Sequence, residues 1–210
     1  FTNWSGYTFI FGSYASGINA LIIDTITGSS ANDFIYGYGG DDVLSGGGGI
    51  DWIYGGNGAD TIHGGDGADT LLGEGGGVET LYGDAGNDYL GSQSASNDIL
   101  DGGTGVDYMI AGDGDDTYYV DDVADNADES NNSGTDLVIA SVSYSLGAGV
   151  ENLTLVGGDL NGTGNELANV ITGSNGANVL TGLQGDDTLQ GGAGADTIDG
   201  GDGVDTLSFI

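Results

Sequence analysis

The chain has 210 residues, 46 of them glycine, and sets 33 aspartates and glutamates against no lysine and no arginine, a formal charge of -33. Nucleic acid and anionic lipid surfaces are repelled by such a chain, and with no cysteine neither disulfides nor thiolate metal sites hold it together. No Lys or Arg ion pair is available, so the carboxylates must be solvated, hydrogen-bonded or neutralised by a cation from outside the chain.

Residues 1–27, FTNWSGYTFIFGSYASGINALIIDTIT, are apolar and aromatic, carry no repeat, and contain no apolar run near the roughly 18 residues of a membrane span. They read as a cap or as a docking strand, because an uncovered solenoid end pairs with another edge.

From Gly28 the chain runs in nines to residue 119: GSSANDFIY, GYGGDDVLS, GGGGIDWIY, GGNGADTIH, GGDGADTLL, GEGGGVETLY, GDAGNDYLG, SQSASNDILD, GGTGVDYMI and AGDGDDTYY, two of them one residue longer. Each unit asks for glycines in its first half, a carboxylate sixth and an aliphatic residue eighth, which is a turn followed by a very short strand. Such a turn offers carbonyl and carboxylate oxygens together, and a loose shell of hard oxygens suits calcium better than magnesium.

Two nonapeptides make one coil with a strand on each side, and stacked coils build two parallel sheets about 4.8 Å per step. One-residue insertions extend a turn and keep this parity. The carboxylates then form two columns: Asp33, Asp51, Asp69, Asp88 and Asp107 on one edge, Asp42, Asp60, Glu79, Asp98 and Asp116 on the other. Like charges stacked so closely repel unless a divalent cation sits between them. The eighth positions, from Ile35 and Leu44 to Met109 and Tyr118, point inward as a narrow core.

Residues 120–163 break the repeat with an acidic, Asn-rich loop from Asp121 to Asp136, then LVIASVSYSL and VENLTLVG with strand-like alternation. This spacer is expected to continue the solenoid with larger coils; its acids read as a solvated loop ahead of an additional calcium site. The second series, residues 164–210, is GNELANVIT, GSNGANVLT, GLQGDDTLQ, GGAGADTID and GGDGVDTLS, with Asn169 and Asn178 in place of the acid in its first two units.

The units, best matched by GGNGADTIH from Gly55, GGDGADTLL from Gly64, GGAGADTID from Gly191 and GGDGVDTLS from Gly200, resemble the GGxGxDxUx nonapeptide of RTX (repeats-in-toxin) proteins. The spacer VENLTLVGGDLNGTGNELAN is similar to one recurring between RTX blocks. The resemblance implies an all-β parallel β-roll, Ca2+ between successive turns, type I secretion from a bacterium and folding outside the cell or at its surface. Carried over residue by residue, it implies ligands at the ten column acids and at Asp187, Asp196 and Asp205. Backbone carbonyls complete the shells, among them those of Gly46, Gly48, Gly55, Asn57, Gly64 and Asp66. Glu79, the glycine-poor unit of Asp98 and the uncharged Asn169 and Asn178 depart from the pattern, which puts their sites in doubt.

Positions seven and nine point outward. On the first-column sheet they include Phe34, Tyr36, Trp52, Tyr54, Tyr89 and Tyr108, an aromatic face that reads either as an interface or as simple β propensity. His63 is the one histidine and falls at an outward ninth position, so no Ser-His-Asp set is convincing and no enzyme is expected. The reading is a calcium-binding structural or assembly module of an extracellular bacterial protein, stacking head to tail through residues 1–27 and the Leu207 to Ile210 end. The alternative is a noncatalytic appendage of a secreted enzyme or toxin that aids its export and folding.

Overall fold

A computed structural model describes residues 6–12, 22–129 and 132–209. Much of the segment 1–27, and Ile210, therefore lie outside the described residues. Within them the chain is all-β, a parallel solenoid with no helix, hence none long and apolar enough to cross a membrane.

Three sheets form its sides. The first stacks Thr8–Phe11, Asp33–Gly39, Trp52–Asn57, Thr70–Glu74, Tyr89–Ser94, Tyr108–Gly112 and Asn126–Ala127. Facing it, an eleven-stranded sheet runs from Thr25–Thr27 through Val43–Gly48, Thr61–Asp66, Thr80–Ala85, Ile99–Asp101, Thr117–Val120, Leu137–Ala140, Asn152–Leu155, Val170–Thr172 and Thr188–Gln190 to Thr206–Ser208. Past the spacer the first sheet is replaced by Tyr144–Ser145, Asn161–Thr163, Val179–Gln184 and Thr197–Asp202.

Every strand pair is parallel and joins residues one coil apart, as in Ile35↔Ile53 and Leu44↔Ile62. The eighth-position residues from Ile35 to Tyr118 are fully buried, and Val138, Leu153, Ile171 and Leu189 extend their line through the spacer into the second series. Two inward side chains per coil give a thin core, at about 25 cal/mol per Å2 of apolar surface removed from water. Of the two long units, GEGGGVETLY holds its extra residue in the turn, since its strand keeps Tyr54↔Leu72 and Gly56↔Glu74. SQSASNDILD departs from that expectation: its extra residue forms a bulge, with Gly91 opposite Ile110 but Ser94 opposite Gly112.

Candidate metal sites

The turns hold the carboxylates in two rows by one repeated hydrogen bond. The backbone N–H of each sixth-position residue donates to a carboxylate oxygen one coil later: Asp33 to Asp51 and Asp51 to Asp69 at 2.7 Å, Asp42 to Asp60, Asp69 to Asp88 and Asp88 to Asp107 at 2.8 Å, and Asp60 to Glu79 at 3.0 Å. These side chains are at most 3 % exposed. One oxygen of each carboxylate is thus used. The second oxygen of Asp42, Asp51, Asp60, Asp69, Glu79, Asp88, Asp107, Asp116 and Asp187 is buried with no hydrogen-bond partner. A repeated orphan acceptor of this kind is rare in proteins, where buried polar atoms are paired.

What surrounds these oxygens explains the first glycine of the unit. A Cβ placed on Gly46 would lie 2.2 Å from Asp51 Oδ2 and 2.6 Å from the Gly64 carbonyl oxygen; on Gly37 the distances are 2.4 Å to Asp42 Oδ2 and 2.5 Å to the Gly55 carbonyl, and on Gly64 they are 2.6 Å to Asp69 Oδ2 and 2.7 Å to the Gly83 carbonyl. No side-chain carbon tolerates such contacts, so only glycine lets the carboxylate and the carbonyl of the next coil approach the backbone this closely. All the donors are hard oxygens from one carboxylate and one carbonyl of the next coil, which fits calcium.

The second position decides whether the oxygen is left unpaired. Of the five non-glycine residues with left-handed φ among the described residues, Tyr38 (78°), Glu74 (67°), Asp84 (68°) and Leu183 (81°) stand second in their units, and Gln93 is in the bulge. A left-handed leucine or tyrosine costs on the order of 1–3 kcal/mol, a strain typical of functional turns. Ser29, Asn165 and Ser174 occupy the same place with ordinary φ, and there the backbone N–H donates to the sixth-position oxygen: Asp33 at 2.6 Å, Asn169 at 2.8 Å and Asn178 at 2.8 Å. Ser94, paired opposite the second-position Gly112, likewise gives its hydroxyl to Asp98 at 2.8 Å, and Ser92 donates to the same oxygen. The turn therefore either satisfies the acid itself or turns its amide away and leaves the oxygen bare.

This contrast is testable. Converting GSNGANVLT to GGNGADVLT, with Ser174→Gly and Asn178→Asp, reproduces the unit at Gly55 and is expected to add one bound calcium ion per chain by equilibrium dialysis. An unchanged count would show that the second position does not govern occupancy.

The sequence profile of the RTX calcium-binding nonapeptide repeat (4 copies) matches residues 23–53, 45–77, 75–90, 94–126 and 172–207, well over half of the chain. The chain belongs to the RTX calcium-binding repeat family. No curated protein sequence matches it.

Burial dominates the electrostatics of these RTX rows. It pushes the acids of Asp51, Asp60 and Asp107 up to about 6, Asp88 and Asp116 to about 7 and Glu79 to about 8, with repulsion from neighbours in the row adding and the donated amide opposing. Asp42, Asp69 and Asp187 are raised for the same first cause.

Not every sixth-position residue is alike in this RTX chain. Asp196 and Asp205, near the C-terminal end, are only half-buried. Glu79 differs from the aspartates because its Cγ, not an oxygen, comes within 2.7 Å of the Cβ point of Gly73. The carbonyls of Gly46, Gly55 and Gly64 face the points beside Gly28, Gly37 and Gly46. Those of Asn57 and Asp66 accept the amides of Gly40 and Gly49 at 2.8 Å, and Gly48 pairs with Asp66 in the strand register.

The rows also extend beyond the acids read from sequence: Asp125 accepts the amide of Asp107 at 3.0 Å, Asp136 that of Asp116 at 2.9 Å and Glu151 that of Asp136 at 2.9 Å. Asp125 follows Asp107 by one coil length, the signal that would have found it.

On the outer face the Phe34 ring lies tilted against Phe9 at 5.5 Å and Tyr54 at 5.4 Å, while Tyr36 stacks on Tyr54 at 5.6 Å and Tyr89 on Tyr108 at 5.7 Å. Trp52 pairs with Phe34 in the same register, and all six aromatic residues are half-buried by this stacking. His63 stacks on Tyr82 at 4.5 Å and pairs with Asp84 at 3.2 Å on the opposite sheet.

Proposed function

We propose that this calcium-binding β-roll is a structural module of an extracellular bacterial protein, disordered where calcium is scarce and folded by calcium after secretion. The observation that carries the reading is the double row of buried, unpartnered carboxylate oxygens, which no donor of the chain neutralises. The ligands are assigned to the sixth-position acids whose oxygen is bare, joined for Asp42, Asp51, Asp60, Asp69, Asp88 and Asp187 by the carbonyl of the glycine that opens the unit one coil later. Asp98, satisfied by serines, is left out, whereas Asp33 has its Oδ2 taken by Ser29 and its Oδ1 bare. The role is noncatalytic, and residues 28–119, 120–163 and 164–210 act as one continuous body.

The same module is proposed to stack head to tail. Thr206–Ser208 pairs on one side only, with Leu207 42 % and Phe209 64 % exposed, whereas the equivalent Leu189 one coil earlier is fully buried. At the other end, among the described residues, Thr8–Phe11 and Thr25–Thr27 also pair on one side, with Phe9 and Phe11 exposed. Parallel coils present complementary edges at opposite ends, and an open edge recruits a further strand. Negative-stain microscopy and light scattering in millimolar calcium are expected to show elongated end-to-end assemblies, and Leu207→Glu to abolish them. Monodisperse single rolls at high protein concentration would remove the assembly role and leave the module.

A further inference from the structure

One cluster of acids joins the last nonapeptide of the first block to two acids of the spacer. Asp116, Glu129 and Asp136 bring one carboxylate oxygen each within 4.8 Å of the others. All three are at most 2 % exposed, so this part of the acidic segment is not the solvated loop its composition suggests. Asp116 Oδ2 and Glu129 Oε2 have no hydrogen-bond partner. The cluster is held rigidly: Asp136 accepts the Asp116 amide at 2.9 Å, and the buried Tyr118 phenol donates to Glu129 Oε1 while accepting the Ala111 amide at 2.8 Å.

The unit that contains Asp116 explains why a different site is needed here. It opens with Ala111, fully buried, where every other unit of the two series but SQSASNDILD opens with a glycine. A methyl thus stands beside Asp116 in place of the glycine cradle. The carboxylate of Glu129, from the turn of the following coil, supplies the facing oxygen instead of a backbone carbonyl.

We infer that Asp116, Glu129 and Asp136 form a tricarboxylate site for a hard divalent cation, calcium in its extracellular setting, different in composition from the nonapeptide sites. Three buried carboxylates with no cation of the chain's own near them repel one another, and a bound divalent ion removes that penalty. Calcium affinity rises with ligand charge and rigidity, so this site fills before those built on one carboxylate and a carbonyl. Its position makes it a clamp between the last coil of the first block and the spacer. The inference rests on the calcium-binding reading above.

Calcium titration calorimetry on the full chain tests it, with circular dichroism recorded at saturating calcium. Glu129→Gln is expected to lower the stoichiometry by one ion and to remove the tightest phase, weakening it by at least about tenfold, while the remaining ions bind as before. Glu129→Asp keeps the charge but draws the oxygen back, and is expected to weaken that phase without reducing the count, which preserves the test should the glutamine variant fold poorly. Retention of both count and tightest affinity in both variants would overturn the tricarboxylate site while leaving the roll intact. Absence of calcium binding by the unaltered chain would overturn both.

Discussion

Excess chelator at pH 8 is expected to abolish the β-sheet circular dichroism of this chain, and calcium at about 10⁻⁴–10⁻³ M, the range of extracellular modules, to restore it in one cooperative step. The apolar term is small because each coil buries only two inward side chains, such as Ile53 and Ile62. Against it stand the ordering entropy of a glycine-rich chain, about 1–2 kcal/mol per residue for the backbone alone, and a formal charge of -33. Among the described residues, the ten unpartnered buried carboxylate oxygens of the rows add desolvation that no protein donor offsets. On the proposed ligand assignment each ion would join a carboxylate of one coil to a carbonyl of the next, which makes binding and folding the same event. Full β structure in chelator would show that the rows are tolerated without metal, and the proposed calcium-dependent folding would fail.

The period of nine made the large features legible. A carboxylate at position six and an aliphatic residue at position eight, repeated from Asp33 and Ile35 onward, are enough to derive two parallel sheets, the buried ladder and the two rows. The second position was not legible, because Tyr38 and Leu183 carry side chains that disfavour the left-handed backbone they adopt. That conformation is imposed by the neighbouring coils, and only the structure separates these turns from those of Ser29 and Ser174. Exposed turn acids bond across coils too: Asp41 accepts the Ala59 amide at 3.0 Å and Asp186 that of Val204 at 2.9 Å, an outer rail of coil-to-coil bonds. Glu129 was hidden for a different reason. It lies in a segment without the repeat, and the closure of a twenty-residue coil, not a local motif, brings it to Asp116.

Without calcium, acidification is expected to favour the folded roll. The folded-state values of Glu79 at about 8, Asp88 and Asp116 at about 7, and Asp51, Asp60 and Asp107 at about 6 lie above the roughly 4 of an unfolded carboxylate. Between pH 4 and 8 the folded form therefore binds more protons than the unfolded one, and stability falls as pH rises. The destabilisation is complete above pH 8 and is relieved progressively as pH drops through 7 and 6 toward 4. Chelated protein should accordingly gain β structure between pH 8 and pH 5.

With calcium the dependence reverses, since the ion needs the deprotonated acid. The calcium midpoint should rise by about tenfold per pH unit for each proton displaced per ion once pH falls below the row values, with protons released on binding at pH 6.5 and few at pH 9. A proton and a calcium ion are thus alternative ways of neutralising the same buried oxygen. If chelated protein were no more structured at pH 5 than at pH 8, and the calcium midpoint did not move, the buried rows would not be what couples this chain to its metal.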